Sequence, residues 1–194
     1  MRRVFALVLG GLMLAGGSAQ TETAGDPAAG RKVAGMCGTC HGRDGYATIP
    51  IAPHIGGEPE AYLAAQLTAF KNGTREHEMM TVVAAGLSAQ QIADVSAWYA
   101  AHSATATLPE GVSADAAPDA CVACHGADGI SLVPDAPNLA GEVNIYIDTQ
   151  LKAFRIGKRQ HEIMSEVAAD LTDQQIRAIA DWYSAIGLEI TMKE

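Results

Sequence analysis

The sequence predicts an all-α protein built from two tandem modules. The first observation is an internal repeat: sliding the 194-residue chain by 84 positions aligns 37–102 with 121–186 without a gap, and 31 of the 66 aligned pairs are identical. The second is a set of helix start and stop signals that recurs in both copies. The third is that no stretch alternates apolar and polar residues clearly enough to predict a strand.

Two helices are predicted in the first half of the first module. Asp26-Pro27 is an N-cap followed by proline at the first helical position, and predicts a helix that runs up to Cys37. Pro59 begins the next helix, and Asn72-Gly73 ends it. In the second module Pro118 lies close to Cys121, so the helix before this cysteine is predicted to be shorter.

The last helix of each module begins at a capping box. The boxes are Ser88-x-x-Gln91 and Thr172-x-x-Gln175, and the helices end near Trp98-Tyr99 and Trp182-Tyr183. The predicted division of the chain is a signal peptide at 1–19, a first domain at 20–102, a linker and the start of the second domain at 103–119, and the second domain at 120–194.

The first residues have the pattern of a secretory signal. Arg2 and Arg3 precede an apolar run over 4–16, and small residues follow up to Ala19. We therefore expect cleavage after Ala19, export to a periplasm and no membrane span in the mature chain. An uncleaved anchor is the alternative, but it needs about 20 apolar residues.

The chain is acidic, with a formal net charge of −9 that becomes −11 without Arg2 and Arg3. Residues 20–102 carry 5 basic and 8 acidic groups, and 103–194 carry 6 basic and 14 acidic groups. This surface disfavours nucleic acid and anionic lipid as partners and favours a protein with a basic docking face. Simple solubility is the alternative explanation, and the basic cluster at 152–159, with Lys152, Arg155 and Lys158, could instead present a local basic face to an acidic partner. The candidate docking acids of the second module are Asp128, Asp135 and Glu142.

One motif occurs at the same place in both copies: Cys37-Gly-Thr-Cys40-His41 and Cys121-Val-Ala-Cys124-His125. This spacing is the attachment signature of haem c, in which the thiolates form thioethers with the vinyl groups and the histidine ligates the iron. A disulfide framework does not explain the histidine. A four-cysteine zinc site normally has its pairs within about 20 residues, whereas these lie 84 apart. We therefore predict two covalent haem groups.

The segment after each motif resembles class I cytochromes c. Pro53 and Pro137 each lie 12 residues after the motif histidine and begin a Pro-x-hydrophobic turn. In that class the proline carbonyl accepts a hydrogen bond from the haem-ligating histidine, which orients the ring and makes it a better donor. The resemblance implies this role for both prolines; an ordinary surface turn is the alternative.

A methionine precedes the last helix of each module. Met80 and Met164 lie seven residues before Leu87 and Leu171, and the mature chain resembles the dihaem cytochrome c4 family, which has its axial methionine at this spacing. The resemblance implies two tandem class I cytochrome c domains related by a pseudo-twofold axis, each wrapped around one haem. The implied axial pairs are His41 with Met80 and His125 with Met164.

Other assignments of the ligands stay open from the sequence. Met79 is next to Met80, although its repeat partner is Ile163, and a methionine at helical spacing is often a core residue. His77 and His161 also recur and could give bis-histidine iron. Four recurring basic residues are candidate partners of the haem propionates, with a solvated helix end as the alternative; they are Lys71, Arg75, Arg155 and Arg159.

Iron with histidine and methionine on both axial positions exchanges electrons and has no open position for a substrate. We therefore expect a periplasmic dihaem electron carrier between redox proteins, and not an enzyme. The alternative is the cytochrome subunit of a flavocytochrome c sulfide dehydrogenase or a related sulfur-oxidation complex, with a flavoprotein as partner. A peroxidase or a thiosulfate dehydrogenase needs a vacant sixth position, which a methionine in both modules disfavours.

Overall fold

The structure of the protein is a computed structural model, and it describes residues 24–193. The predicted signal peptide at 1–19 lies outside the described residues. Eight helices confirm the predicted helical class. The elements of the described part are α1 (Pro27–His41), α2 (Glu60–Asn72), α3 (Glu78–Ala85), α4 (Ala89–Ala100), β1 (His102–Thr107), a 3-10 turn (Ala114–Ala116), α5 (Asp119–His125), α6 (Asn144–Arg155), α7 (Glu162–Ala169), α8 (Asp173–Ser184) and β2 (Gly187–Met192).

The predicted helix signals are present in the structure. The carboxylate of Asp26 accepts a hydrogen bond from the Ala28 N–H at 2.9 Å and caps α1. Gly73 ends α2 in the left-handed conformation, with φ of 75°, which glycine adopts at little cost. Both capping boxes are formed, so α4 and α8 begin at Ser88 and Thr172 as the sequence predicted.

The first module is closed by the crossing of α1 over α4. Gly30 is buried at this crossing, and a methyl group built on it would overlap the carbonyl oxygen of Asp94. The missing side chain therefore lets the two helix backbones approach closely. One turn further along α1, Ala34 packs into a core with Leu63 and Val95.

The second module has no counterpart of the first turns of α1, because α5 has 7 residues where α1 has 15. Its core is formed mainly by α6 and α8, with Ile147, Ile176 and Tyr183 almost fully buried. Leu108 and Leu188, which lie beside the two strands, pack against this core.

The prediction that no segment forms a strand is wrong for β1 and β2. They pair antiparallel with His102 opposite Met192 and Thr107 opposite Gly187. The apolar residues of β1 are alanines, which give almost no hydrophobic alternation, and β2 is a single short segment at the end of the chain. β1 also crosses the predicted boundary between the first domain at 20–102 and the linker at 103–119, and the domain boundaries remain predictions.

No helix within 24–193 combines the length and the apolar character that crossing a membrane requires.

The α1–α4 crossing generates a test with a matched control. Gly30→Ala should lower the free energy of unfolding by about 1–3 kcal/mol, because the added methyl group overpacks a backbone contact. Gly35→Ala lies on the same helix with open space around it, and should be neutral or stabilising by up to about 1 kcal/mol. Chemical denaturation of the haem-loaded protein measures both. Equal effects of the two changes would contradict the close crossing.

Candidate haem sites

Both motifs lie at the carboxyl end of a helix, on α1 and α5. Each helix ends at a glycine with positive φ, 76° at Gly42 and 73° at Gly126. A methyl group on Gly42 would overlap the carbonyl oxygen of Tyr46, so a larger residue does not fit where the chain folds back. The fold thus directs the chain from the motif straight into the loop that carries the proline.

The motif histidines are buried and their orientation is fixed. Nδ1 of His41 donates to the carbonyl oxygen of Pro53 at 2.8 Å, and Nδ1 of His125 donates to that of Pro137 at 2.8 Å. Burial lowers the pKa of both rings, which favours neutral imidazole. Because Nδ1 carries the proton, Nε2 has the lone pair that can ligate a metal.

The cysteines are placed for thioether formation. None of the four, all of which the structure describes, forms a disulfide bond. Cys37 packs against the core of the first module and Cys121 belongs to that of the second. Burial raises the pKa of both thiols, so an uncharged thioether suits this environment better than a thiolate. The thiols and the free Nε2 of each module therefore fit haem c.

Two short helices, α3 and α7, carry the candidate axial methionines. Met80 and Met164 are the third residue of their helix and are partly buried. Met79 is 64% exposed and its repeat partner Ile163 is 51% exposed. Met80 and Met164 are thus less exposed than Met79 and Ile163, and Met164 packs against the core of the second module.

The recurring histidines are the N-caps of these two helices, a role that the sequence did not reveal. Nδ1 of His77 accepts from the Met80 N–H at 3.4 Å, and Nδ1 of His161 accepts from the Met164 N–H at 3.3 Å. The N–H of each histidine donates in return to a hydroxyl four residues later, on Thr81 or Ser165. This paired His-x-x-x-Thr/Ser pattern was the signal for α3 and α7, and it explains why the histidines recur.

Two of the four recurring cations bind the start of the last helix in their own module. Nζ of Lys71 donates to the carbonyl oxygen of Leu87. The guanidinium of Arg155 donates to the carbonyl oxygen of Leu171 and to the carboxylate of Asp173, each at 2.7 Å. Their equivalent positions therefore have a structural explanation in the described residues.

The other two cations connect the modules. Arg75 is 9% exposed and stacks over Phe70 with its guanidinium carbon 4.5 Å from the ring centre. It donates to Gln66 of its own module at 2.7 Å, and to Tyr146 at 3.0 Å and Gln150 at 2.9 Å of the second module.

Arg159 makes the reciprocal set of contacts. It stacks over Phe154 at 4.5 Å and donates to Gln150 of its own module. Across the interface it donates to Gln66 at 2.9 Å and to Tyr62 at 3.3 Å. The two arginines thus form one network across the module interface. Their assignment to the haem propionates, like that of Lys71 and Arg155, stays a prediction.

The fold and the paired sites define a c-type cytochrome with two haem modules. The cytochrome c family model matches residues 114–184. Cytochrome c4 of Pseudomonas aeruginosa is 32% identical over 193 residues, which span 90% of this chain and 96% of the relative. The solved structure of reduced recombinant cytochrome c4 from Pseudomonas stutzeri matches with a TM-score of 0.73 and 28% identity, over 84% of this chain and 100% of that one.

This chain belongs to the cytochrome c4 family, and its cofactors are two haem c groups. A further relative is named "Thiosulfate dehydrogenase electron acceptor", from Thiomonas intermedia. It is 32% identical over 211 residues, which span 98% of this chain and 94% of the relative.

The arginine network generates a test of how the modules are coupled. Arg75→Ala removes the arginine donor of Tyr146 and one of the two arginine donors of Gln66 and of Gln150, and should lower the free energy of unfolding by about 2 kcal/mol. It should also split a shared thermal transition into two, because the contacts that it removes join the modules. Differential scanning calorimetry of the haem-loaded protein measures both effects.

Arg155→Ala is the matched control, since its contacts lie within the second module. It should destabilise that module without separating the two transitions. If Arg75→Ala unfolds in one transition at an unchanged temperature, the network does not couple the modules.

Proposed function

We propose that the mature chain is a periplasmic dihaem electron carrier in which each module attaches one haem through its two motif cysteines. These are Cys37 and Cys40 in the first module, and Cys121 and Cys124 in the second. The axial pairs are His41 with Met80 and His125 with Met164. The observation that carries the proposal is that both modules have the same buried histidine bound to a proline carbonyl, and a partly buried methionine in register.

Haem c supplies an iron that accepts and releases one electron. The residues around it do the rest of the work. The proline carbonyl fixes the ring of each motif histidine and keeps the proton on Nδ1. The N-cap on α3 or α7 fixes the turn that carries the methionine. The ring of each histidine and the backbone of each methionine are thus fixed by hydrogen bonds. Little of the protein would therefore have to move on electron transfer, and with both axial positions of the iron occupied none would be left for a substrate.

A second function in the same class is supported by one of the relatives. The similarity to a thiosulfate dehydrogenase electron acceptor extends over almost the whole chain. It favours an oxidoreductase of sulfur compounds as the electron donor, which is close to our alternative of a sulfur-oxidation complex. Affinity capture of the native protein separates the candidates: a flavoprotein supports a flavocytochrome complex, and a haem-containing dehydrogenase supports the thiosulfate pathway.

The ligand assignment is tested by replacing each methionine. Met80→Ala and Met164→Ala should each remove about half of the far-red charge-transfer band of methionine-ligated ferric haem, because each opens one of two iron sites. Each change should also lower the potential of its own haem, since a methionine ligand raises it. Absorption spectroscopy and a redox titration measure these effects, and intact mass confirms that two haems are attached to each variant.

His77→Ala and His161→Ala are the controls for this experiment. They should keep the far-red band and lower the free energy of unfolding by about 1 kcal/mol, the usual cost of removing an N-cap. If the band disappears from the histidine variants and persists in the methionine variants, the axial assignment is wrong.

The docking face is the last part of the proposal. Asp128 and Asp135 are exposed beside the second motif, whereas Glu142 is only 4% exposed and is not a docking residue, contrary to the sequence-based choice. Two of the three cations of the basic cluster in the second module are paired with acids of that module: Lys152 pairs with Asp148 at 2.6 Å, and Arg155 pairs with Asp173, whereas Lys158 is exposed. These contacts favour an acidic face for a basic redox partner.

Electron transfer to such a partner should slow as salt rises, because screening weakens the attraction that steers the encounter. The double change Asp128→Asn and Asp135→Asn should reduce this slope, as measured by stopped-flow spectroscopy across a salt series. Glu110→Gln with Asp115→Asn removes the same charge from exposed positions between the modules and should have the smaller effect. A rate that rises with salt would exclude the acidic docking face.

A further inference from the structure

The two loops that follow the haem motifs lie against each other in a reciprocal arrangement. His54 and Asn138 occupy equivalent positions, directly after Pro53 and Pro137. Nδ1 of His54 accepts from the N–H of Ala47 in its own module, and its Nε2 donates to the carbonyl oxygen of Gly141 in the second module at 3.1 Å. The ring is therefore neutral, with its proton on Nε2.

Asn138 makes the equivalent contacts in the opposite direction. Its Oδ1 accepts from the N–H of Ser131 at 2.9 Å, and its Nδ2 donates to the carbonyl oxygen of Gly57 in the first module at 3.0 Å. His54 and Asn138 thus each accept one hydrogen bond within their own module and donate one to the other module. The interface requires this hydrogen-bond geometry at both positions rather than one particular side chain.

Each loop also contributes a buried carboxyl group to the other module. Glu58 and Glu142 are each 4% exposed. Oε2 of Glu142 accepts from the backbone N–H of His54 at 3.0 Å, and Oε2 of Glu58 accepts from the backbone N–H of Asn138 at 2.8 Å. The electron-transfer role does not by itself require these buried acids.

Each carboxyl group shares one peptide group with a motif histidine. The N–H of His54 and the C=O of Pro53 belong to the same peptide unit, and that C=O accepts from His41. A continuous hydrogen-bonded path therefore runs from Glu142 of the second module, through this amide, to the histidine of the first module. The same path runs from Glu58 through the Pro137–Asn138 amide to His125.

We propose that Glu58 and Glu142 are positioning residues that set the donor strength of the motif histidine in the opposite module through this shared peptide group. An ionised acceptor polarises the amide, and the carbonyl oxygen then attracts the Nδ1 proton more strongly. The ring becomes a better donor at Nε2, which stabilises ferric iron and lowers the potential of that haem. Protonation of the carboxyl group has the opposite effect.

The two paths differ at one position of the repeat. Oε1 of Glu142 accepts a second hydrogen bond from the N–H of Val143 at 2.6 Å, whereas the equivalent of Val143 in the first module is Pro59, which has no N–H. Burial raises the pKa of Glu142 to about 8 and raises that of Glu58 well above its usual value. Because the second N–H stabilises the ionised form of Glu142, we expect Glu142 to ionise at a lower pH than Glu58.

Other charged or titratable groups lie near the two carboxyl groups. Glu58 and Glu142 lie close enough to interact with each other, and His54 contacts Glu142. Tyr62 lies near Glu58, and Arg75 and Arg159 lie near Tyr62. Burial lowers the pKa of His54 and raises that of Tyr62, so neither changes its charge near pH 8. Glu142 is thus the group in this cluster that responds in this range.

The test, which rests on the proposed dihaem function, is a potential measurement on two isosteric variants. Glu142→Gln keeps an oxygen acceptor for the His54 N–H but cannot ionise. It should raise the potential of the first module's haem more than that of the second, and flatten its dependence on pH around 8. Glu58→Gln should raise the potential of the second module's haem, and at pH 7 this shift should be smaller than the shift that Glu142→Gln causes in the first module's haem.

Redox titrations followed by NMR of the haem methyl groups give the two potentials separately, assigned through contacts with residues of each module. Glu60→Gln and Glu166→Gln remove the same charge from exposed positions, and should shift both haems little and without the crossed pattern. In the unaltered protein, the amide N–H signal of His54 should also titrate with Glu142.

Three results would overturn the proposal. One is a shift confined to the haem of the substituted module, and another is an equal shift from the buried and the exposed variants. The third is a Glu142→Ala variant that moves both potentials while Glu142→Gln moves neither, since that pattern shows a purely structural contact. None of these results changes the spectra that test the methionine ligands. The proposed role of Glu58 and Glu142 can therefore be disproved while the electron-carrier function stands, and the reverse is also possible.

Discussion

The hydrogen bond from each motif histidine to a proline carbonyl is the constraint around which both modules are built. It keeps the proton of the buried ring on Nδ1, so that Nε2 is the nitrogen available to a metal. It also fixes the loop that follows the motif, because the proline and the histidine are on opposite sides of the glycine turn that ends α1 or α5. Since the two loops form part of the interface, the geometry of each haem site and this part of the module packing depend on the same few backbone atoms.

The duplication is reciprocal in the contacts of these loops and is least complete at the start of the modules. The interface keeps its reciprocal contacts even where His54 replaces an asparagine, because both side chains offer an acceptor and a donor at similar places. At the start of the module the copies differ more, since the second lacks the long helix that crosses α4 in the first.

Most of the helices were predictable because their signals are local. Asp26, Gly73 and the two capping boxes act within one helical turn, and the structure has them as the sequence indicates. The N-caps of α3 and α7 were missed because histidine is an uncommon cap and is expected at a haem as a ligand. The buried state of Glu142 was missed for another reason: it depends on contacts with residues 88 positions away, which composition and charge do not reveal.

The pairing of β1 with β2 has a consequence for the order in which the protein is completed. β1 follows the first module directly, yet its only partner among the described residues is formed by 187–192, at the far end of the second. Closing this ribbon brings together segments separated by the whole second module, which is an entropically costly late step. A chain that emerges amino end first therefore leaves an open strand edge beside its first module until the last residues arrive. During that interval the edge can pair with another copy, which makes exchange of the terminal strand the characteristic misassembly of this architecture.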